Sequence, residues 1–202
     1  LLQPLADGLK LLLKEDFTPG GVDKTLFSLA PFLVIIPAML GWAIIPWGGD
    51  LQWGDKILHI TAAPINIGII FVLAIGSLSV YGVVLGGYAS NNKYSFLGGL
   101  RATAQMLSYE IPLGLSILIV ILMAGTVRAD YLINAQVAHG WYFFHQPFLA
   151  LIYFTCVLAE CNRTPFDLAE CEQELIGGYH TEYSSMRFSL FFLGEYMHMI
   201  GG

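Results

Sequence analysis

Six carboxylates crowd the stretch from Glu160 to Glu182: Glu160, Asp167, Glu170, Glu172, Glu174 and Glu182. Within RTPFDLAECEQELIGGYHTEYSS, Asp167, Glu170 and Glu174 fall at i, i+3 and i+7. A helix there would set them on one face and turn Glu172 roughly the other way. Thr164-Pro165 has the composition of a helix start, with a threonine to cap, a proline for the first turn, and Asp167 where a capping-box acid belongs. Three carboxylates on one stripe repel one another, and groups whose charge states depend on each other trade protons, as a relay requires. The same residues also describe a solvated acidic loop in which Asp167 only caps a helix. Three further acids tilt the reading towards the relay. Glu110 stands directly before Ile111-Pro112, and Glu160 and Glu195 lie in or beside apolar runs, where an ionisable group is costly and as a rule functional. Each alone also fits an interfacial residue reaching water; together they outline a polar path leading into the membrane.

Other reactive residue types form no comparable pattern. Glu195-x-x-His198 is half of a di-iron helix motif, but there is no second copy, and no metal is expected. Cys156, Cys161 and Cys171 include no CxxC pair and are read as free thiols. His180 has the ordinary pKa range to titrate near neutrality or is a plain loop histidine, and His59, His139 and His145 carry no ligand spacing. Neither a Walker loop nor GxGxxG occurs. A net charge of −6 without a basic tract excludes nucleic acid as a partner.

The elements that must hold the acids are apolar. Residues are 56% hydrophobic and 12% charged, about half the charge of an ordinary soluble domain. We expect an all-α, polytopic transmembrane helix bundle with an N-terminal interfacial amphipathic helix, as one membrane domain over 1–202. Apolar runs place spans at 26–47, 65–87, 111–127, 142–160 and 188–200. The last is truncated, and the first residue is leucine, so the stretch reads as a fragment with four full spans and the start of a fifth. Gly82 and Gly86 form a small-xxx-small pattern with no assigned function. In LLQPLADGLKLLLKED (1–16), Leu2, Leu5, Leu9, Leu12 and Leu13 share a face opposite Gln3, Asp7, Lys10 and Lys14. Such a helix lies in the interface, either as a plain anchor or as one wall of a lateral opening. Lys10, Lys14, Lys24, Lys93, Arg101, Arg163 and Arg187 fall on one side of the alternating connections, and Lys56 and Arg128 on the other. By the positive-inside rule, the acidic loop 161–187 is cytoplasmic.

Three stretches carry a resemblance: LLQPLADGLKLLLKED, ASNNKYSFLGGLRATAQMLSYEIPLG and ECNRTPFDLAECEQELIGGYHTEYSSMRFSLFFLGEY. The chain closely resembles the H subunit of bacterial NADH:quinone oxidoreductase, respiratory complex I, whose mitochondrial counterpart is the first mitochondrially encoded subunit. The resemblance implies a membrane-arm subunit that frames the quinone tunnel and couples quinone reduction to proton translocation through an acidic funnel. Glu110 in SYEIP, Glu160 before NRTPFD, Asp167, Glu170 and Glu174 in FDLAECEQE, and Glu195 in LGEY match the funnel acids. Asp7 in PLADGLK matches a polar residue near the tunnel, and Arg163 matches a basic residue beside the funnel. Glu172 and Glu182 match further acids of the same loop. It also implies that this chain holds no cofactor, that quinone is the substrate, and that FMN and iron–sulfur clusters sit in partner subunits. The partners implied are the other membrane-arm and hydrophilic-arm subunits and membrane lipid. The HTEYSSM form points to a bacterial inner (plasma) membrane. Relative to the family, the span before LLQPLAD and everything after Gly202 are missing, and those parts supply further walls of the tunnel. Two alternatives stay open. One is the homologous membrane subunit of an energy-converting hydrogenase or formate hydrogenlyase, against which GYHTEYSS argues. The other is an ion transporter subunit, which inverted repeats would mark; none is seen.

Overall fold

The computed structural model describes residues 3–48, 50–53, 56–59, 62–63, 65–167 and 177–201. Helix α1 runs Gln3–Leu13 and α2 runs Lys24–Trp42, capped by the Asp23 carboxylate, which accepts from the amides of Thr25 and Leu26. A short antiparallel hairpin, β1 Asp50–Trp53 and β2 Lys56–His59, pairs Leu51 with Leu58 and Gln52 with Ile57. Helix α3 is Gly68–Ala89. Helix α4, Lys93–Ala124, begins at an Asn92 cap and stops at Gly125, whose left-handed φ of 69° suits a residue without Cβ. Then come α5 Ala129–His139, α6 Tyr142–His145, α7 Pro147–Glu160, a 3-10 turn Gly178–His180, and α8 Ser185–Gly201.

Helices α2, α3 and α4 are long and apolar enough to cross a membrane. The chain is thus a polytopic helical membrane protein, with one small hairpin among the described residues that apolar-run counting does not detect. At 32 residues, α4 is about 48 Å long, well beyond a hydrocarbon core of about 30 Å. The region carrying Lys93 and Arg101, expected to be a loop, is therefore helix continuous with the span that follows. The run 142–160 is divided instead. Gln146 ends α6, and Pro147 opens α7 at the position where a missing N–H costs little. Helix α7 is then 14 residues, about 21 Å.

Helix α2 packs on α3 and α8, α3 on α4, and α4 on α7. The shared core holds Phe27, Val34, Val83, Ala102, Met106, Tyr179, Tyr183 and Phe191. Two of the glycines show how closely the elements approach. A Cβ on Gly82 would lie 2.5 Å from Val34 Cγ2 and 2.9 Å from the Ala30 carbonyl, and one on Gly98 would lie 2.8 Å from the Gly178 backbone. Gly82 therefore seats α3 against α2, and Gly98 lets the 3-10 turn lie on α4. The opposite faces are apolar too: Phe32, Ile36, Leu115, Leu118 and Leu122 are all exposed, as expected of side chains bathed in lipid. Helix α1 likewise exposes Leu9, Leu12 and Leu13. It is tied to α8 by Ser185 Oγ donating to the Leu11 carbonyl at 3.1 Å, by the Phe17 amide donating to Ser184 Oγ at 3.0 Å, and by an Arg187–Asp16 ion pair at 3.3 Å.

Candidate functional site: an acid pair in an apolar cavity

Glu110 lies on α4, more than a turn beyond the residues that cross the 3-10 turn, and Ser77 of α3 donates to its carboxylate. Glu160 closes α7, and its Oε1 lies 3.8 Å from where a Cβ on Gly76 would stand. Two acids far apart in the chain thus meet consecutive residues of α3, where the absence of a side chain at Gly76 leaves room. Both line a half-open cavity of about 510 Å³ whose walls come from α2 to α8. Apart from these acids its walls are largely aliphatic, with Leu113, Ile117 and Val120 from α4 and Leu149 and Val157 from α7. In such surroundings two carboxylates interact far more strongly than in water, so protonating one changes the cost of ionising the other.

The turn after Glu160 is held by a residue that no sequence motif singles out. The Gln105 side-chain amide lies 2.9 Å from the Ala159 carbonyl, 2.9 Å from Asn162 Oδ1 and 2.8 Å from the Phe166 carbonyl. It reaches Glu160's end of α7 from α4, between one and two turns before Glu110. Its one signal is a polar residue in the otherwise largely apolar run ATAQML. Thr164-Pro165 is not a helix start: residues 161–166 form turns and a bend. The chain turns sharply here because it must bring Asn162 and Phe166 onto Gln105, which overturns the capping-box reading. Asp167 follows this turn and is exposed. Glu170, Glu172 and Glu174, with Cys171, lie outside the described residues.

Glu195 sits on α8 and accepts a hydrogen bond from the Tyr179 hydroxyl at 2.6 Å. Tyr179 is 1% exposed and packs edge-on to Phe191 at 5.3 Å, so its hydroxyl has one fixed direction. Arg163 lies over the ring of Tyr196, 4.7 Å from its centroid. Glu160 and Glu195 both act electrostatically on Cys161, at the end of α7, but Glu195 is not among the residues that line the cavity. Glu182 serves to hold the start of α4, since Asn92 Nδ2 donates to it at 2.6 Å while Asn92 Oδ1 caps that helix. Asp7 is exposed on α1 and accepts from Gln3 at 3.4 Å, outside the cavity.

His180 does not have the near-neutral titration its residue type allows. Its ring is enclosed by Tyr179, Phe188 and Phe192 at 5.1–5.6 Å, and burial pushes its pKa down to about 4. His198 lines the cavity, with Nε2 buried and without a hydrogen-bond partner among the described residues. No group of three His, Cys, Asp or Glu that could hold a metal ion occurs among the described residues.

A family model described as NADH dehydrogenase matches residues 1–201. The chain is 48% identical over 199 residues to the H subunit, copy 1, of the NADH-quinone oxidoreductase of Cytophaga hutchinsonii, covering 98% of this chain and 58% of that protein. It is 50% identical over 200 residues to the corresponding H subunit of Protochlamydia amoebophila, covering 99% and 61%. For copy 1 of the H subunit in Geobacter metallireducens the identity is 49%, covering 99% and 60%. The chain spans about three fifths of the length of these relatives.

Proposed function

The chain belongs to the NADH dehydrogenase family, and from that premise we propose that it is the membrane part of a proton-translocating NADH:quinone oxidoreductase that couples quinone reduction to proton movement. One observation carries the reading: Glu110 and Glu160 converge on Gly76–Ser77 inside an apolar cavity. An ion placed there without a function would be a standing cost. In this reading a change of charge near the acidic loop alters the protonation of Glu195, and the effect passes to Glu160 and Glu110 through their mutual repulsion. Tyr179 keeps Glu195 aimed, and Gln105 holds the turn that joins Glu160 to Asp167. Glu170 and Glu174 continue the path from the loop. Asp7 and α1 border the opening through which quinone leaves the bilayer, with Arg163 beside the funnel.

The reaction is taken from the relatives, which are subunits of NADH-quinone oxidoreductases, with quinone as the electron acceptor. FMN and iron–sulfur clusters belong to partner subunits of the hydrophilic arm. Other membrane-arm subunits and lipid complete the surroundings in a bacterial inner membrane, with the acidic loop facing the cytoplasm. Glu110→Gln and Glu160→Gln each test the reading in the assembled enzyme. Quinone-dependent NADH oxidation and proton pumping in inverted vesicles should fall at least about tenfold, the effect of losing one positioned proton carrier. Ferricyanide reduction, which bypasses quinone, should persist. If both variants assemble on a native gel and pump like the parent, the two acids are not part of the coupling.

A further inference from the structure

The cavity holding Glu110 and Glu160 follows α4 from Glu110 to Met123 and α7 from Leu149 to Glu160. The helical rise over that stretch of α4 makes it about 20 Å long, with carboxylates at one end and mainly apolar walls along the rest, interrupted by Ser116, Gln136, Tyr142 and Gln146. We propose that this cavity is a binding site for a lipophilic amine, a single apolar chain ending in a protonated nitrogen. The aliphatic stretch past Leu113, Ile117 and Val120 matches the chain. The acid end matches the cation: an ammonium beside two carboxylates relieves their repulsion and makes charge-assisted hydrogen bonds in a poorly screened setting. A primary ammonium has three N–H groups to offer these acceptors. A neutral lipid chain or a quinone ring fills the aliphatic part but leaves the acid end unanswered. A volume of about 510 Å³ lies within the range of pockets that enclose ligands of drug size.

This site goes beyond the coupling reading and does not depend on it, because occupancy is read without turnover. The test uses the whole enzyme in proteoliposomes and dodecylamine bearing a diazirine in its chain, with the matching diazirine dodecanol as the neutral probe. After photolysis, residue-level mapping should show the amine attached at the cavity-lining Leu113, Ile117, Val120, Leu149 and Val157. It should exceed the alcohol there by about tenfold, the worth of one charge-assisted contact. Excess dodecylamine should displace it. Glu160→Gln should weaken labelling, and Val120→Trp, which fills the aliphatic part, should abolish it. Equal labelling by amine and alcohol overturns the proposal, as does labelling confined to lipid-facing Leu115, Leu118 and Leu122, which would mean simple partition into the bilayer. The amine–alcohol comparison is made on the unaltered protein, so it decides the matter even where a variant fails to assemble.

Discussion

At the scale of single residues, acids at the margins of apolar runs are legible because charge is so costly there, whereas their supports are not. Gln105 and Tyr179 act through contacts with Phe166 and Glu195, and no local pattern announces a partner 61 or 16 positions away. His180 shows the same limit from the other side. Its type suggests titration near neutrality, but Phe188 and Phe192, brought in by α8, hold it neutral with a pKa of about 4. The folded state therefore binds a proton less readily than the unfolded chain, whose histidine titrates at about 6.5. The stability contributed is complete above about pH 6.5 and is lost as pH falls from there towards 4. His180→Phe fits the aromatic surroundings and removes the titration. Thermal dissociation of the purified enzyme at about pH 5.5 and 7.5 should show the parent losing more on acidification than the variant, by about 1 kcal/mol. Parallel pH profiles would show that protonation of His180 does not oppose folding.

At the scale of elements, the helices crossing the bilayer are readable from run length, but their ends are set by contacts and caps. Asn92 starts α4 well before its apolar portion, and Pro147 divides a run that composition presents as continuous. The small-xxx-small pattern gains a meaning only from packing. Gly82 touches the α2 backbone, while Gly114 on α4 has nothing within 4 Å of where a Cβ would stand. Gly82→Ala should therefore separate α3 from α2 at a cost of about 1–3 kcal/mol, seen as a lower yield of assembled enzyme and earlier thermal dissociation. Gly114→Ala should assemble normally, and equal behaviour of the two would remove the close-packing account. The proposed acid stripe is also an element-scale claim. If Glu170 and Glu174 compensate for one another, each single change to Gln should be mild. The double change should cost more quinone-dependent activity than the two singles combined, since members of one network are not additive. Additive losses in assembled variants would return these acids to a solvated face.

At the scale of the whole molecule, composition announces a multi-pass helical protein, and the exposed leucines and phenylalanines of α2 and α4 show why: the same apolar residues serve core and lipid surface. The hairpin and the division of 142–160 into α6 and α7 are not legible because short segments carry too few residues for a periodic signal. Orientation is the remaining global property, and it rests on an uneven charge distribution. Seven of the nine basic residues lie at the ends where α2 begins, α3 meets α4, and α7 leads to α8, against Lys56 in the hairpin and Arg128 before α5. By the positive-inside rule this bias favours a cytoplasmic acidic loop. A reporter cysteine tests this, and the structure selects its position. Ser184 is engaged with the Phe17 amide, whereas Met186 is 44% exposed at the start of α8. In a background without Cys156, Cys161 and Cys171, Met186→Cys should react with an impermeant maleimide in inverted vesicles and stay unlabelled in intact cells until they are permeabilised. A second reporter, Val137→Cys on the exposed face of α5, should show the reverse. If the two positions exchange their labelling patterns, the loop lies on the outer side, and the funnel cannot meet a hydrophilic arm in the cytoplasm.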